Sequence, residues 1–308
     1  MEKRETVFAA RGGTRLRGWF YLPEGPGPWP GVVMAHGFSA VKEMCLPQLA
    51  EFLCSSGIAV LLYDHRNLGE SDGEPRQEIN PWAQTVDYRH ALDWLIDQPQ
   101  VDADRVGVYG SSFSGGEVLV LGSDDPRIRA VVANAPLAGM PGVDYGDTES
   151  GWRKICERLN DPGPDALASR PAAAPMELAV VSEPDGSSRP AFLPQEESAR
   201  WFLRHGRRPG STWQNEVTLA NGFDCDPPFD PGQCVAHIQA PLLMVVATED
   251  RLASTAVALD AFARAPEPKQ LEMVSGDHFV AYEDEGFAQA AVVVRDFFDQ
   301  YLGSKDSR

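Results

Sequence analysis

Short apolar runs alternate with helically spaced patterns from residue 1 to about 139, and again from about 238 to the end. Thr6–Ala10 and Arg15–Leu22 flank Gly12-Gly13 and predict a hairpin with a glycine turn. Val32–Ala35 reads as a buried strand stopped by His36-Gly37. The helix after it has Pro47 in its first turn and Gly57 past its end. Ile58–Tyr63 is uniformly apolar, as a parallel strand covered on both faces requires. Asn80 and Pro81 open the next helix as N-cap and first helical residue. Its stripe of Tyr88, Ala91, Leu92 and Leu95 marks the core face. Strand Arg105–Tyr109, helix Ser114 to about Leu121 and strand Ile128–Asn134 follow. The closing zone predicts strand Leu242–Ala247, helix Thr255–Ala265, strand Gln270–Val274 and helix Phe287–Leu302. Such alternation implies an α/β fold, a mostly parallel central sheet with helices on both faces.

Residues 140–237 break the rhythm. They hold 12 of the 25 prolines and read as a loop-rich insertion covering the sheet. The expected division is a core of 1–139 with 238–308, and a cap of 140–237.

Composition narrows the function. Lys+Arg number 27 against 45 Asp+Glu, a net charge of −18, which excludes nucleic acid as a partner and disfavours anionic membranes. No apolar run reaches membrane-spanning length, and Met1–Thr6 shows no signal-peptide pattern. Five cysteines without a C-x-x-C pair predict reduced, free thiols in a cytoplasmic protein rather than an approach of Cys225 to Cys234 in a loop. No H-E-x-x-H or paired-cysteine ligand set is present, so no metal or cofactor is expected.

The chemistry concentrates in Gly110-Ser111-Ser112-Phe113-Ser114-Gly115-Gly116, where a buried strand runs into Gly-x-Ser and small residues open a helix. That context suits a nucleophile on a strained turn, whose close neighbours must be small. The following helix N-terminus favours developing negative charge. A phosphate loop is ruled out, because Gly116-Glu117 stands where Lys-Ser/Thr is needed. Ser111 and Ser114 are rival nucleophiles, but only Ser112 stands two residues past the strand-ending glycine.

A hydroxyl nucleophile needs a base, and the base an orienting acid. Of six histidines, His36, His65 and His90 precede or flank the nucleophile, His205 lies among arginines and His237 precedes a strand. His278 alone follows the last strand on a loop. Asp250, a few residues beyond strand Leu242–Ala247, is the preferred acid, with Glu249 second. Backbone N–H groups of Phe38 and Phe113 are the expected oxyanion donors; losing one such donor costs about 3–4 kcal/mol.

His36-Gly37-Phe38, the run Tyr63–Gly73, the Ser112 turn, the Asp250 turn and Gly276-Asp277-His278-Phe279 together resemble the α/β-hydrolases, over about 30–137 and 238–302. The resemblance implies the triad Ser112–Asp250–His278 and places the insertion where a cap belongs. Two positions depart from the family pattern. Asn67 stands where the loop usually has glycine, and Ser114 breaks the strict G-x-S-x-G, as in dipeptidyl-peptidase-like and cocaine-esterase-like branches. The stretch His36–Met44 further resembles bacterial and fungal hydrolases that include thioesterases and polyketide-processing transferases.

The expected function is cleavage of a carboxylic ester or thioester through an acyl-enzyme on Ser112. An acyltransferase or cyclase using the same triad is the nearest alternative, and a non-catalytic ligand binder the alternative from another class. The partner is a small-molecule acyl substrate; the negative charge disfavours an acidic carrier protein. Of the insertion's Trp152, Phe192, Trp201, Phe202, Trp213, Phe223 and Phe229, most are expected in a satellite core and a minority at an acyl pocket. Arg200, Arg204, His205, Arg207 and Arg208 read as a solvated helix face balanced by Glu196 and Glu197 rather than as a dock for an anionic substrate.

Overall fold

The computed structural model describes residues 1–160, 177–186, 189–219 and 227–303. Phe223 and Cys225 of the expectations above lie outside them. The elements run β1 (Glu2–Ala9), β2 (Arg15–Leu22), β3 (Trp29–Ala35), α1 (Leu46–Ser55), β4 (Ala59–Tyr63), α2 (Pro81–Ile96), β5 (Val101–Ser111), α3 (Phe113–Asp124) and β6 (Ile128–Asn134). The insertion contributes α4 (Glu149–Asn160), β7 (Glu177–Val181), β8 (Ala191–Leu193), α5 (Glu196–Gly206) and β9 (Val217–Thr218). The chain then returns through β10 (Leu242–Ala247), α6 (Thr255–Arg264), β11 (Lys269–Val274) and α7 (Asp284–Leu302).

Eight strands form one sheet in the order β1-β2-β4-β3-β5-β6-β10-β11. The β1–β2 hairpin and the β2–β4 pair are antiparallel, and β4, β3, β5, β6, β10 and β11 are mutually parallel. Both faces are covered, because successive strand residues enter opposite cores. Val33, Ala35, Leu61 and Tyr63 pack with the α2 stripe Tyr88, Ala91, Leu92 and Leu95. Val32, Met34, Val60 and Leu62 pack with Leu49 and Leu53 of α1 and Phe297 and Phe298 of α7. The Asn80 side chain caps α2 by accepting the Ala83 N–H at 3.1 Å.

The insertion is more ordered than its prolines suggest. Among the described residues it carries the α-helices α4 and α5 and a second sheet of order β8-β7-β9. Among the described residues its apolar side chains do not close a core of their own. Val180, Trp201, Phe202 and Trp213 merge with Phe38, Phe113 and Phe279 of the main body, while Ile155 and Leu159 of α4 pack on Trp82 and Val86 of α2. Proline excludes long central strands, not short helices between loops.

One buried ion cluster fixes the loop after β4. Lys42 Nζ lies 2.9 Å from Glu43, 2.8 Å from Asp64 and 2.7 Å from Glu70, and its side chain is fully buried. Burial opposes its charge, yet these carboxylates hold it above the ordinary lysine value. The ammonium fills the space a cation would take among them. Lys42→Met leaves Asp64 buried without its partner, so a loss of about 3–5 kcal/mol is expected in guanidinium unfolding; an unchanged midpoint contradicts this account.

Candidate active site

The loops that carry chemistry leave the carboxyl ends of four parallel strands, β3, β5, β10 and β11. Register brings these ends together: Ala35 pairs with Gly110, Ser111 with Asn134, Val245 with Asn134 and Ala247 with Val274. In open parallel sheets this edge is where ligands bind.

Ser112 occupies a sharp turn between β5 and α3, with φ 54° and ψ −113°. A β-carbon-bearing residue rarely adopts positive φ, so the surroundings must hold it there. They do so by backbone hydrogen bonds on both sides. The Ser112 N–H donates to Asn134 O at 2.8 Å, and the Leu137 N–H donates to Ser112 O at 2.9 Å. Close approach explains the small neighbours. A Cβ at Gly110 would stand 2.0 Å from the Ser114 carbonyl oxygen, and one at Gly37 would stand 2.7 Å from Ser112 Cβ.

His278 Nε2 lies 2.9 Å from Ser112 Oγ, and its Nδ1 lies 2.6 Å from Asp250 Oδ2. The other carboxylate oxygen of Asp250 accepts the N–H groups of Leu252 and Ala253, each at 2.8 Å. Burial pushes the Asp250 carboxyl upward, but the His278 hydrogen bond and these two amides outweigh it, leaving it below the ordinary value. Asp250 is therefore an anion with both oxygens occupied, which fixes the imidazole with its proton on Nδ1 and Nε2 free to accept from Ser112.

The rival candidates go elsewhere. Glu249 is exposed. Ser111 Oγ faces His36 Nδ1 at 3.4 Å, and Ser114 is fully buried behind the turn. His237 stacks on Trp152 at 4.3 Å, and His205 binds Glu283 at 2.6 Å. Phe38 and Phe113 flank the serine on two different elements, their rings 6.1 Å apart. No acceptor takes the Phe38 N–H among the described residues.

Asn67 and Ser114, the two departures from the motif pattern, both have structural reasons. Asn67 has φ 69°, a left-handed conformation that asparagine tolerates better than most residues besides glycine. Ser114 uses its hydroxyl in a buried polar cluster with His36 O, His65 and Glu117.

A cavity of about 280 Å³ opens beside Ser112 and His278. Four of the insertion's aromatics, Phe192, Trp201, Phe202 and Phe229, line it, more than the expected minority. Leu137, Leu252, Phe279 and Tyr282 are among the residues that extend its apolar wall. No Lys, Arg, Asp or Glu lines it among the described residues. Arg200, Arg204 and Arg207, on and just after α5, turn outward, and their partners are not the expected Glu196 and Glu197. Arg200 pairs with Asp277 at 2.7 Å, Arg204 with Glu283 at 2.9 Å and Arg207 with Glu183 at 2.6 Å. Two of these tie the insertion to the segment that follows β11, beside His278. Which of the insertion's aromatics reach the pocket, and which partners its arginines find, was not legible in sequence, because the partners lie on other elements.

Residues 12–280 match the model of the X-Pro dipeptidyl-peptidase family, S15. The chain belongs to this family. It is 31% identical over 278 residues to a thiohydrolase of Aspergillus aculeatus, covering 87% of this chain and 83% of that one. It is 30% identical over 293 residues to a polyketide transferase of Aspergillus fumigatus, covering 93% and 94%. The solved α/β hydrolase GrgF from Penicillium sp. sh18 superposes with a TM-score of 0.75 at 25% identity, covering 99% of this chain and 100% of that one. This S15-family chain is thus an α/β-hydrolase enzyme of the serine-hydrolase or acyltransferase type. Among the described residues no helix is long and apolar enough to cross a membrane.

Proposed function

We propose that the chain cleaves an ester or thioester of a neutral, apolar acyl group, with Ser112 as nucleophile, His278 as base and Asp250 as its orienting anion. The observation that carries the reading is the single imidazole within hydrogen-bond distance of both the Ser112 hydroxyl and the Asp250 carboxylate. Ser112 Oγ attacks the acyl carbonyl while its proton passes to His278 Nε2. The Phe38 and Phe113 N–H groups receive the oxyanion. Collapse of the tetrahedral adduct breaks the carbonyl–leaving-group bond, and the leaving alcohol or thiol takes the proton from His278. Water, activated by the same histidine, then releases the acid and restores Ser112.

Residues 140–237 serve as the cap over the acyl chain, and 1–139 with 238–308 as the catalytic body. Cys45, Cys54, Cys156 and Cys234 are free thiols, which supports a reducing, cytoplasmic compartment. A carrier-protein partner is disfavoured by the negative charge. The relatives named thiohydrolase and polyketide transferase support thioester chemistry, with transfer to an alcohol or amine as the second reading. The family's peptidase name fits the pocket poorly. A dipeptidyl substrate brings an ammonium, and desolvating one calls for a carboxylate that the cavity wall does not offer among the described residues.

A panel of esters and thioesters of increasing acyl length tests the reading, with product analysis in the presence of alcohol and amine acceptors separating hydrolysis from transfer. Fluorophosphonate labelling is expected in the wild type, Ser111→Ala and Ser114→Ala, and lost in Ser112→Ala. An unlabelled wild type favours the binding-protein alternative. An acyl group ending in a carboxylate should show kcat/KM at least about 100-fold below its neutral isostere, because its charge would be buried unpaired. Equal turnover of the two would remove the substrate assignment.

A further inference from the structure

Beneath the Ser112 turn lies a buried polar cluster that the reaction above does not use. Ser114 Oγ lies 2.5 Å from His36 O, 2.8 Å from Glu117 Oε2 and 2.8 Å from His65 Nε2. His65 Nε2 is also 3.2 Å from His36 O. Ser114 and Glu117 are fully buried and His65 nearly so.

Counting protons gives the cluster a direction. A hydroxyl donates once and accepts twice. Burial pushes the His65 imidazolium down to about 3 and the Glu117 carboxyl well above its ordinary value, which favours the neutral form of each. His65 Nδ1 and Glu117 Oε1 have no partner among the described residues. The proton of each group therefore belongs on the atom facing Ser114, His65 Nε2 and Glu117 Oε2. Ser114 accepts from both, and its own proton is left for the His36 carbonyl at the shortest of the three distances.

We infer that Ser114, backed by His65 and Glu117, is a positioning residue that fixes the oxyanion site by tying the His36 carbonyl to the first turn of α3. The two N–H groups proposed to hold the oxyanion stand on separate elements, Phe38 two residues after His36 and Phe113 one residue before Ser114. The Ser114–His36 bond joins those elements directly, and Gly37 between them already packs on Ser112 with no room for a Cβ. The inference rests on the acyl-enzyme reading of the preceding section.

Ser114→Ala and Ser114→Cys test it on the full chain with a p-nitrophenyl ester, alongside the affinity of a trifluoromethyl ketone whose adduct on Ser112 places an oxyanion in the same site. The expected result is a fall in kcat of about tenfold to 100-fold, a comparable weakening of the ketone, and KM within about twofold. Glu117→Gln, which keeps a neutral donor, should retain most of the kcat that Glu117→Ala loses. Two results overturn the inference: wild-type kcat and ketone affinity in a folded Ser114 variant, even with a lowered Tm, or a loss in Glu117→Gln as large as in Glu117→Ala. Either leaves Ser112-dependent turnover of the wild type intact, whereas absence of that turnover would count against the acyl-enzyme reading itself.

Discussion

Ser112→Ala is expected to lower kcat by about 10⁴- to 10⁶-fold on any ester or thioester the wild type turns over, with little change in KM. The basis is geometric. The hydroxyl lies 2.9 Å from His278 Nε2, on a turn whose positive φ is held by backbone hydrogen bonds to β6 and the segment after it. Alanine removes one oxygen and leaves that backbone in place, so binding in the apolar cavity should survive. His278→Ala should lose a similar factor, and the double variant should lose little more, because members of a triad act as a unit. Steady-state kinetics with an active-site titration checks this. A residual rate above about one per cent of wild type in Ser112→Ala would reassign the nucleophile.

The second large effect concerns the acid. Asp250→Asn is expected to reduce kcat by about 10⁴-fold, while Glu249→Gln stays within about twofold of wild type. The asparagine keeps the shape, and its oxygen can still accept from Leu252 and Ala253. Its amide nitrogen would then face His278 Nδ1 as a donor and drive the imidazole proton to Nε2, where it blocks acceptance from Ser112. Loss of the carboxylate also removes the anion that stabilises the imidazolium. A Glu249→Gln variant as damaged as Asp250→Asn would contradict the geometry, in which only Asp250 touches the histidine.

The convergence of Ser112, Asp250 and His278, the proposed triad, was legible because each member sits beside a strand end, and strand ends are marked by local pattern. Apolar runs end at Tyr109, Ala247 and Val274, and Ser112, Asp250 and His278 follow within a few residues of each. In a parallel sheet those ends share one edge, so sequence order becomes spatial proximity. Strand boundaries were less legible. β1 begins at Glu2 and β5 extends over Val101–Ser111, because pairing with β2 and with β3 and β6 prolongs strands past their apolar centres.

The insertion shows the opposite case. Its proline content disguised α4 and α5, and its arginines found partners on Asp277, Glu283 and Glu183 that no local spacing foretells. Ser114 was visible only as a break in a motif. Its role in the buried cluster depends on His36, His65 and Glu117, three residues from three different segments.

By itself, then, the sequence determined the alternating architecture, the sharp turn at Ser112 and the placing of Ser112, Asp250 and His278 just past strand ends, since each is written in local periodicity and in the residues beside it. The tertiary structure alone decided the apolar cavity beside Ser112, the ion pairs between the insertion and the segment after β11, and the burial of the polar cluster under Ser112. Those depend on burial and on contacts between distant segments, and desolvation has no signature in a local string of residues.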